Sequence, residues 1–459
     1  MGFWEAGPVA MDLLIVLTLL GVVAATRRLV PALSRLLVPD AMWAGLAALV
    51  LGGTGLGWLP LDPEHLEILV YHALALVFIA VALRSPSGQA GTAGARSVAF
   101  AIPVLLSIQG LIGLVVVWLW TVVGADAEPT LGLLLPFAFE QGPGQALSIG
   151  AAWEEAFGLE HGGQLGLILA AAGFGWCFVI GVPLLHLARW RGWVQAAPTG
   201  RGQGSEEVEP VVPPAAVHGA GLDPLTRQLA VIGIAYLLAY LIVAWLASLL
   251  AAQEAVAPML WGFHFIMAML VAMGLRQLLV RVPAGEGVLD DDLLTRFAGA
   301  VVDVATVAAL GAVRIDLVAA NLGVIVTVTA IGALGTALTC VWVSRRAFRD
   351  EPFPHALVLF GVGTGTLPTG LALLRAHDPE LAGPTTADMV VGSALAIPVA
   401  APLLLWALPF VASSVAGGHI GTGVAVLGAY LLAMLVGWRW LGGLRITRPL
   451  AALWPGSST

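Results

Sequence analysis

Two short stretches of this sequence place glycine, proline and neutral polar side chains inside apolar surroundings. The first is Gln141-Gly142-Pro143-Gly144-Gln145 with Ser148 just beyond it, and the second is Gly363-Thr364-Gly365-Thr366-Leu367-Pro368-Thr369. Glycine and proline interrupt a helix, and the carbonyl groups that the interruption frees can bind a cation. Side-chain oxygens of glutamine, serine and threonine are further ligands for a hard monovalent ion. These residue types predict ion and solute binding rather than covalent chemistry.

Each stretch leads into a short helical segment, Ala146 to Phe157 in the first case and Gly370 to Ala376 in the second. The free N–H groups and the dipole at a helix N-terminus attract an anion such as a carboxylate. We therefore expect a carboxylated solute and a cation to bind together. The expected solute-binding residues are Gln141, Gly142, Gly144, Gln145, Ser148, Thr366, Thr369 and Arg375, and the expected ion-binding residues are Gly363, Thr364, Gly365 and Asp303. The alternative is that these glycines only let helices pack closely.

Two of these residues are charged, and each has two interpretations. Asp303 lies in the apolar run 301–309, where a carboxylate is costly unless it faces a partner or a cavity. It is a candidate cation ligand or proton acceptor; the alternative is an interfacial position or a pair with an arginine. Arg375 ends the second helical segment, where a cation suits the helix dipole. Binding of the solute carboxylate is the other interpretation.

The elements that must position these residues are membrane-spanning helices. Of the 459 residues, 59% are hydrophobic and 10% are charged, whereas a soluble domain carries about 25% charged residues. A β-barrel is excluded because strands of about ten residues with alternating polarity are not seen. The predicted fold class is an all-α polytopic membrane protein, with helices of roughly 20 residues crossing the bilayer. The eleven predicted spans are 11–25, 41–58, 67–83, 98–123, 163–188, 228–252, 256–275, 297–313, 317–343, 385–412 and 420–438.

The basic residues, all of which are arginine, predict the topology. With the N-terminus outside, only Arg314 falls on the outer side, as the positive-inside rule favours. This holds only if residues 131–160 and 354–379 do not cross and instead form re-entrant hairpins that enter from opposite faces. The Pro-, Gly- and Glu-rich stretch 191–225 and the C-terminus are then cytoplasmic. We expect that stretch to be a linker without packed structure.

The two glycine-containing stretches align with each other when Gly142 is placed on Gly363, and the same offset superimposes further apolar runs of the two halves. Five spans and one hairpin per half is the repeat that results. Because five is odd, the halves must have opposite orientation, as in inverted-repeat transporters. The predicted organisation is a first repeat (1–190), a linker (191–225), a second repeat (226–412), and an extra span with a tail (413–459).

At these stretches the chain resembles the bacterial sodium/glutamate symporter family. The region Gln141 to Trp153 is similar to the family's Gly-Gly-His-Gly segment and the Ala-Trp helix after it, and Gly363, Gly365, Pro368 and Thr369 match its Gly-x-Gly-x-Thr-Pro-Thr segment. Leu167 to Gly175 and Pro39 to Gly45 also resemble family stretches. Two positions depart from the pattern: Pro143 replaces the histidine, and Leu367 replaces the threonine before proline.

The resemblance implies Na⁺-coupled symport of glutamate or a related carboxylated solute. It further implies an elevator-type movement of a core against a dimeric scaffold in the inner membrane of a bacterium. Neither a cofactor nor a structural metal nor a nucleic-acid partner is expected. Because of the two departures, proton- or cation-coupled transport of another organic anion stays open as an alternative.

An intramembrane enzyme is the remaining hypothesis from another class. Ser148 is not preceded by glycine at the second position before it, so the nucleophile elbow of hydrolases is missing. The sequence also has no His-Glu-x-x-His metal pair. We therefore expect no catalytic residues.

Overall fold

The computed structural model describes residues 8–30, 38–85, 92–124, 127–193, 222–250, 256–282, 287–348, 351–378, 381, 383–441 and 443–445. Most of the predicted linker, residues 194–221, falls outside these ranges, so the prediction of a loosely packed linker stays a prediction. Within the described ranges the chain is helical, without a β-strand.

Nineteen helices are numbered here in chain order. The first eight are α1 Pro8–Leu29, α2 Asp40–Leu51, α3 Pro63–Leu83, α4 Ala93–Val122, α5 Pro129–Gly132, α6 Leu135–Phe139, α7 Pro143–Phe157 and α8 Gly162–Trp190. The next six are α9 Pro224–Leu249, α10 Val256–Gly262, α11 His264–Arg281, α12 Asp291–Gly311, α13 Ile315–Ala320 and α14 Leu322–Ala347. The last five are α15 Pro352–Thr364, α16 Leu367–Arg375, α17 Pro384–Pro402, α18 Leu408–Ala416 and α19 Ile420–Trp440, with a π-helical turn at Leu403–Ala407 joining α17 to α18.

Ten helices in the described part of the chain are long and apolar enough to cross a membrane. The prediction of an all-helical, multi-pass membrane protein is confirmed at this level. Ten of the eleven predicted spans correspond to these helices, whereas the run 41–58 contains only the twelve-residue helix α2. Such a helix is about 18 Å long, less than the roughly 30 Å of a hydrocarbon core. Gly52, Gly53 and Gly55 follow directly and end it.

The buried apolar side chains form two main clusters. The larger one joins α4, α8 and α14 with the helices on either side of the two glycine-containing stretches, through residues such as Leu105, Leu169 and Val328. The second cluster joins α3, α9, α11 and α12, through residues such as Ile79, Phe265 and Leu294. The glycine-containing stretches therefore belong to one packing unit, and α9 and α11 belong mainly to the other.

The outer surface is apolar, as a bilayer requires. On α9, for example, Leu237, Leu241 and Trp245 are 59%, 53% and 60% exposed. Exposed leucine and tryptophan in this number would be unfavourable in water.

Candidate functional site

The first glycine-containing stretch separates two helical arms that fold back on each other; we call residues 129–157 the first helix pair. The rings of Phe137 on α6 and Trp153 on α7 meet edge to face, with centroids 5.8 Å apart. The break between the arms is Glu140, Gln141 and Gly142. Gly142 has a φ of 86°, a left-handed conformation that side chains with a Cβ rarely adopt. This glycine is thus required by the turn itself.

The second stretch has the same organisation; we call residues 352–375 the second helix pair. Its arms, α15 and α16, touch through glycine, since a Cβ added to Gly361 would lie 2.6 Å from Cα of Gly370. The break here is Gly365 and Thr366. The two predicted helix interruptions therefore both exist.

The two breaks meet each other. A Cβ added to Gly142 would lie 2.8 Å from Cγ2 of Thr366. These residues are more than two hundred positions apart in the sequence, and both were predicted as solute-binding residues. The structure therefore brings the first and second stretches together.

Helix α8 runs along both helix pairs and shows where their breaks lie. Near its start, Gly162 and Gly166 pack against the backbone of Gly150 and Ala146 in the first pair. Near its end, a Cβ on Gly181 would lie 2.7 Å from Leu373 Cδ1 in the second pair, and Arg189 donates a hydrogen bond to the carbonyl of Ala376.

Gly173, between these positions, contacts the last helical residue before each break. A Cβ there would lie 2.6 Å from the carbonyl oxygen of Thr364 and 2.9 Å from Cδ1 of Phe139. With a rise of about 1.5 Å per residue, Gly173 is roughly 16 Å from one end of α8 and roughly 26 Å from the other. The first helix pair thus occupies one half of α8, the second pair the other, and the breaks meet between them.

Glu140, which the sequence reasoning missed, is the buried carboxylate at this meeting point. It is 9% exposed and accepts a hydrogen bond from the side-chain amide of Gln141. Gln141 in turn accepts one from Nε2 of Gln145 at 2.7 Å. The two predicted glutamines therefore form a chain of donors directed at Glu140. A carboxylate next to the apolar run 131–139 was the available signal.

A second missed residue, Gln109, links the second break to α4 and α14. Its amide nitrogen donates to the carbonyl of Gly363 at 2.6 Å and to Oγ1 of Thr336 at 3.0 Å. Gln109 is fully buried, and its Oε1 is without a hydrogen-bond partner. The carbonyl of Gly363, predicted as an ion ligand, thus already accepts a hydrogen bond from Gln109. The signal in the sequence was a single amide within the apolar run 98–123.

The threonines at the second break differ in what their hydroxyls do. Those of Thr366 and Thr369 lie 3.2 Å apart at the break. That of Thr364 donates to the carbonyl of Phe360 within α15, at 2.8 Å. Thr366 and Thr369 are therefore the better placed oxygen ligands, with Gly365 packed against Thr369. In the first pair, the Ser148 hydroxyl is buried without a partner, one turn further into α7.

Three other predicted residues are placed elsewhere. A Cβ on Gly144 would face Leu74 of α3, 3.1 Å from its Cδ1, so this glycine serves close helix packing. Arg375 is exposed at the C-terminal end of α16. Asp303 is exposed on α12 and its carboxylate has Asp40 as an electrostatic neighbour.

The breaks offer oxygen atoms, which suit a monovalent cation as ligands, and helix N-termini, which suit a carboxylate. No group of three or more His, Cys, Asp or Glu within the described ranges is arranged to hold a metal ion. A cavity of about 120 Å³ lies apart from the breaks, between α3, α9 and the α10–α11 junction. It is lined mainly by aromatic residues, namely Tyr71, His72, Tyr236, Tyr240, Trp261 and His264.

Comparison with protein-family models, with curated proteins and with solved structures gives no match for this chain.

Proposed function

We propose that this chain is a secondary active transporter in which the two helix pairs enter the membrane from opposite faces and bind a cation and a small carboxylated solute where their breaks meet. The observation that carries the proposal is the contact between the two breaks, at Gly142 and Thr366, beside the middle part of α8, where Gly173 touches the residue before each break. Interrupted helices meeting within the membrane are the usual site of inverted-repeat transporters. Irregular backbone at that depth is tolerated where it is buried or lines a cavity.

The placement of the arginines supports opposite entry. Arg189 ends α8 on the side flanked by the second helix pair, and Arg345 and Arg346 end α14 near the start of that pair. By the positive-inside rule this side is cytoplasmic, so the second pair opens inward and the first pair outward. The two hydrophobic clusters then correspond to a moving core, which holds both helix pairs, and a scaffold that includes α9 and α11, while α3 and α12 contribute to both clusters.

Glu140 gives a physical reason for coupling. A buried carboxylate without a cation beside it repels a carboxylated solute, and burying two like charges together is costly. A cation bound by Glu140, Thr366 and Thr369 removes that repulsion. The solute carboxylate then faces the N-termini of α7 and α16, neither of which is capped by a side chain. Solute therefore enters only with the cation.

The resemblance to the sodium/glutamate symporter family supports Na⁺ as the cation and glutamate or a related acid as the solute. A second candidate is proton-coupled transport of another organic anion. It is favoured by Glu140, which can bind a proton as well as Na⁺, and by the two motif departures at Pro143 and Leu367.

Uptake into proteoliposomes tests the function. Purified protein is reconstituted, a Na⁺ or a proton gradient is imposed, and radiolabelled amino acids and dicarboxylic acids are screened. We expect accumulation of at least one acid under one of the gradients, and none in liposomes that lack protein. If neither gradient drives accumulation of any acid, cation-coupled transport of this solute class is refuted.

A further inference from the structure

A buried network of titratable side chains lies at the base of the second helix pair, far along α15 from the break. His355, in the first turn of α15, is 1% exposed, and Asp388, near the start of α17, is 8% exposed. Nε2 of His355 lies 3.2 Å from Oδ2 of Asp388. The ring of Phe348 stacks on the imidazole with centroids 4.0 Å apart. Neither residue takes part in the site at the breaks.

The hydrogen-bond partners of His355 determine how many protons it needs. Nδ1 lies 2.8 Å from the carbonyl oxygen of Glu351, which can only accept, so Nδ1 carries a proton. Thr385 lies 3.2 Å from the same nitrogen and donates its own hydroxyl to Oε2 of Glu351 at 2.8 Å. With Nδ1–H fixed, a neutral ring would turn the lone pair of Nε2 toward the carboxylate of Asp388. The contact is favourable only if one more proton lies between Nε2 and Oδ2.

The surroundings of Asp388 favour its carboxylate form. The Thr92 hydroxyl, at the N-cap of α4, donates to Oδ1 of Asp388. Gly94 lacks a side chain, and this allows the Asp388 carboxylate to lie against the first turn of α4. A helix N-terminus stabilises a negative charge. The additional proton therefore resides on His355, as an imidazolium.

The other charged groups around the pair come from three elements. Glu351 precedes α15, His377 and Asp378 follow α16, and Arg345 and Arg346 end α14. Glu351 is the nearest of them, since Thr385 bridges its carboxylate to the imidazole. Its negative charge also favours the imidazolium.

We propose that the His355–Asp388 pair is a proton-binding site, and that the bound proton holds the base of the second helix pair to α4 and α17. Two side chains are too few ligands for a metal ion, and within the described ranges no third His, Cys, Asp or Glu joins them to form such a group. Loss of the proton leaves two acceptors facing each other and loosens α15. The consequence for transport rests on the proposed function: turnover should rise with pH on the face where this base lies. The proton site itself does not depend on it.

Nuclear magnetic resonance of the full chain in lipid nanodiscs tests the proton site directly. The nine histidines are labelled with ¹⁵N and ¹³C, and the signals of His355 are assigned by its through-space contact with Phe348 and by their loss in His355→Gln. We expect both ring nitrogens of His355 to carry protons at neutral pH. In Asp388→Asn the amide can donate to Nε2, so proton binding should weaken by roughly tenfold to a thousandfold.

His419→Gln is the matched control, since His419 is exposed just before α19 and its removal should leave the His355 signals unchanged. A wild-type His355 with a single ring proton at neutral pH, or one unaffected by Asp388→Asn, would overturn the proposal. The wild-type spectrum decides this even if a variant fails to fold. If the spectra support the site but no acid is transported, the proposed function fails while the proton site stands. If transport is found, unchanged pH dependence in Asp388→Asn would refute the effect on turnover.

Discussion

The two helix pairs match in geometry and differ in chemistry. Both are helical arms separated by a glycine-containing break, and the breaks touch. The first break carries a carboxylate, Glu140, which accepts a hydrogen bond from Gln141, and Gln141 accepts one in turn from Gln145 on α7. The second carries two neutral hydroxyls, on Thr366 and Thr369. Only the first break thus carries a charged side chain where the two breaks meet. In the proposed transporter the first pair would attract the cation, and the hydroxyls of the second pair would be its further ligands.

The two helix pairs also differ in how they pack against α8. Helix α7 lies backbone to backbone on α8, at Gly150 and Ala146. The second pair is closed on itself through Gly361 and Gly370. Its backbone lies against that of α8 beside the break, at Thr364 and Gly173, whereas further along it reaches α8 through the longer side chain of Leu373. Close backbone packing resists displacement more than a contact between flexible side chains does. The second pair is thus the better candidate for a moving gate.

The largest effect is expected for Glu140→Gln. The amide keeps the shape of the side chain but not its charge, so the cation loses its main ligand. One monovalent ion moving down about 100 mV supports roughly fifty-fold accumulation of solute, and this should be lost. The measurement is accumulation of the transported acid with and without the cation gradient. Glu154→Gln, at the exposed end of the same helix pair, should leave accumulation unchanged. If Glu140→Gln retains accumulation, the charge that binds the cation belongs to a residue other than Glu140.

The second expected effect is on stability, and it should differ between the glycines of the two breaks, Gly142 and Gly365. Gly142→Ala puts a Cβ on a residue with a φ of 86°, next to Thr366, and should cost about 1–3 kcal/mol. Gly365→Ala should cost less, because the φ of Gly365 is negative. Its Cβ would lie 3.0 Å from Thr369, compared with 2.8 Å between a Cβ on Gly142 and Thr366. Thermal unfolding in detergent measures both, and Gly175→Ala, which meets open space on α8, is the control. An equal cost at Gly142 and Gly175 would contradict the strained turn.

The sequence could predict the breaks, but only part of what surrounds them. Glycine and proline within apolar runs identified Gly142 and Gly365, because few other residues interrupt a buried helix. The partners contributed by other helices were missed: Gln109 and Gly173 reach the breaks only through the tertiary fold. Glu140 was missed although it adjoins Gln141, because a glutamate at the end of an apolar run is equally typical of a membrane interface. The length of α2 was overestimated because mean hydropathy does not register that consecutive glycines end a helix.

Thr369→Val should have a smaller, specific effect. Valine keeps the shape but removes the hydroxyl that lies 3.2 Å from that of Thr366. A lost hydrogen bond or ligand of this kind is worth about 0.5–1.5 kcal/mol, or up to about tenfold in cation affinity. Thr364→Val is the matched comparison, because that hydroxyl is bound within α15. It should lower stability by a similar amount and leave the cation dependence of uptake intact. The same affinity for Na⁺ in Thr369→Val and wild type would remove Thr369 from the site.

The smallest effect is expected for Arg375→Gln, which tests whether the second helix pair binds the solute only at its break. Arg375 and Thr369 lie on the same helix, but Arg375 is at the exposed C-terminal end, about 9 Å further along the axis. There its charge offsets the negative end of the helix dipole, so its removal should cost about 0.3–1 kcal/mol of stability. Solute affinity should change by less than about twofold, since a carboxylate at the N-terminus of α16 does not reach this end. Uptake at varied solute concentration measures the affinity, and Arg375→Lys, which keeps the charge, should restore the lost stability. A fall in affinity beyond about tenfold, rescued by lysine, would show that the solute contacts the far end of α16, and the second pair would then supply charge after all.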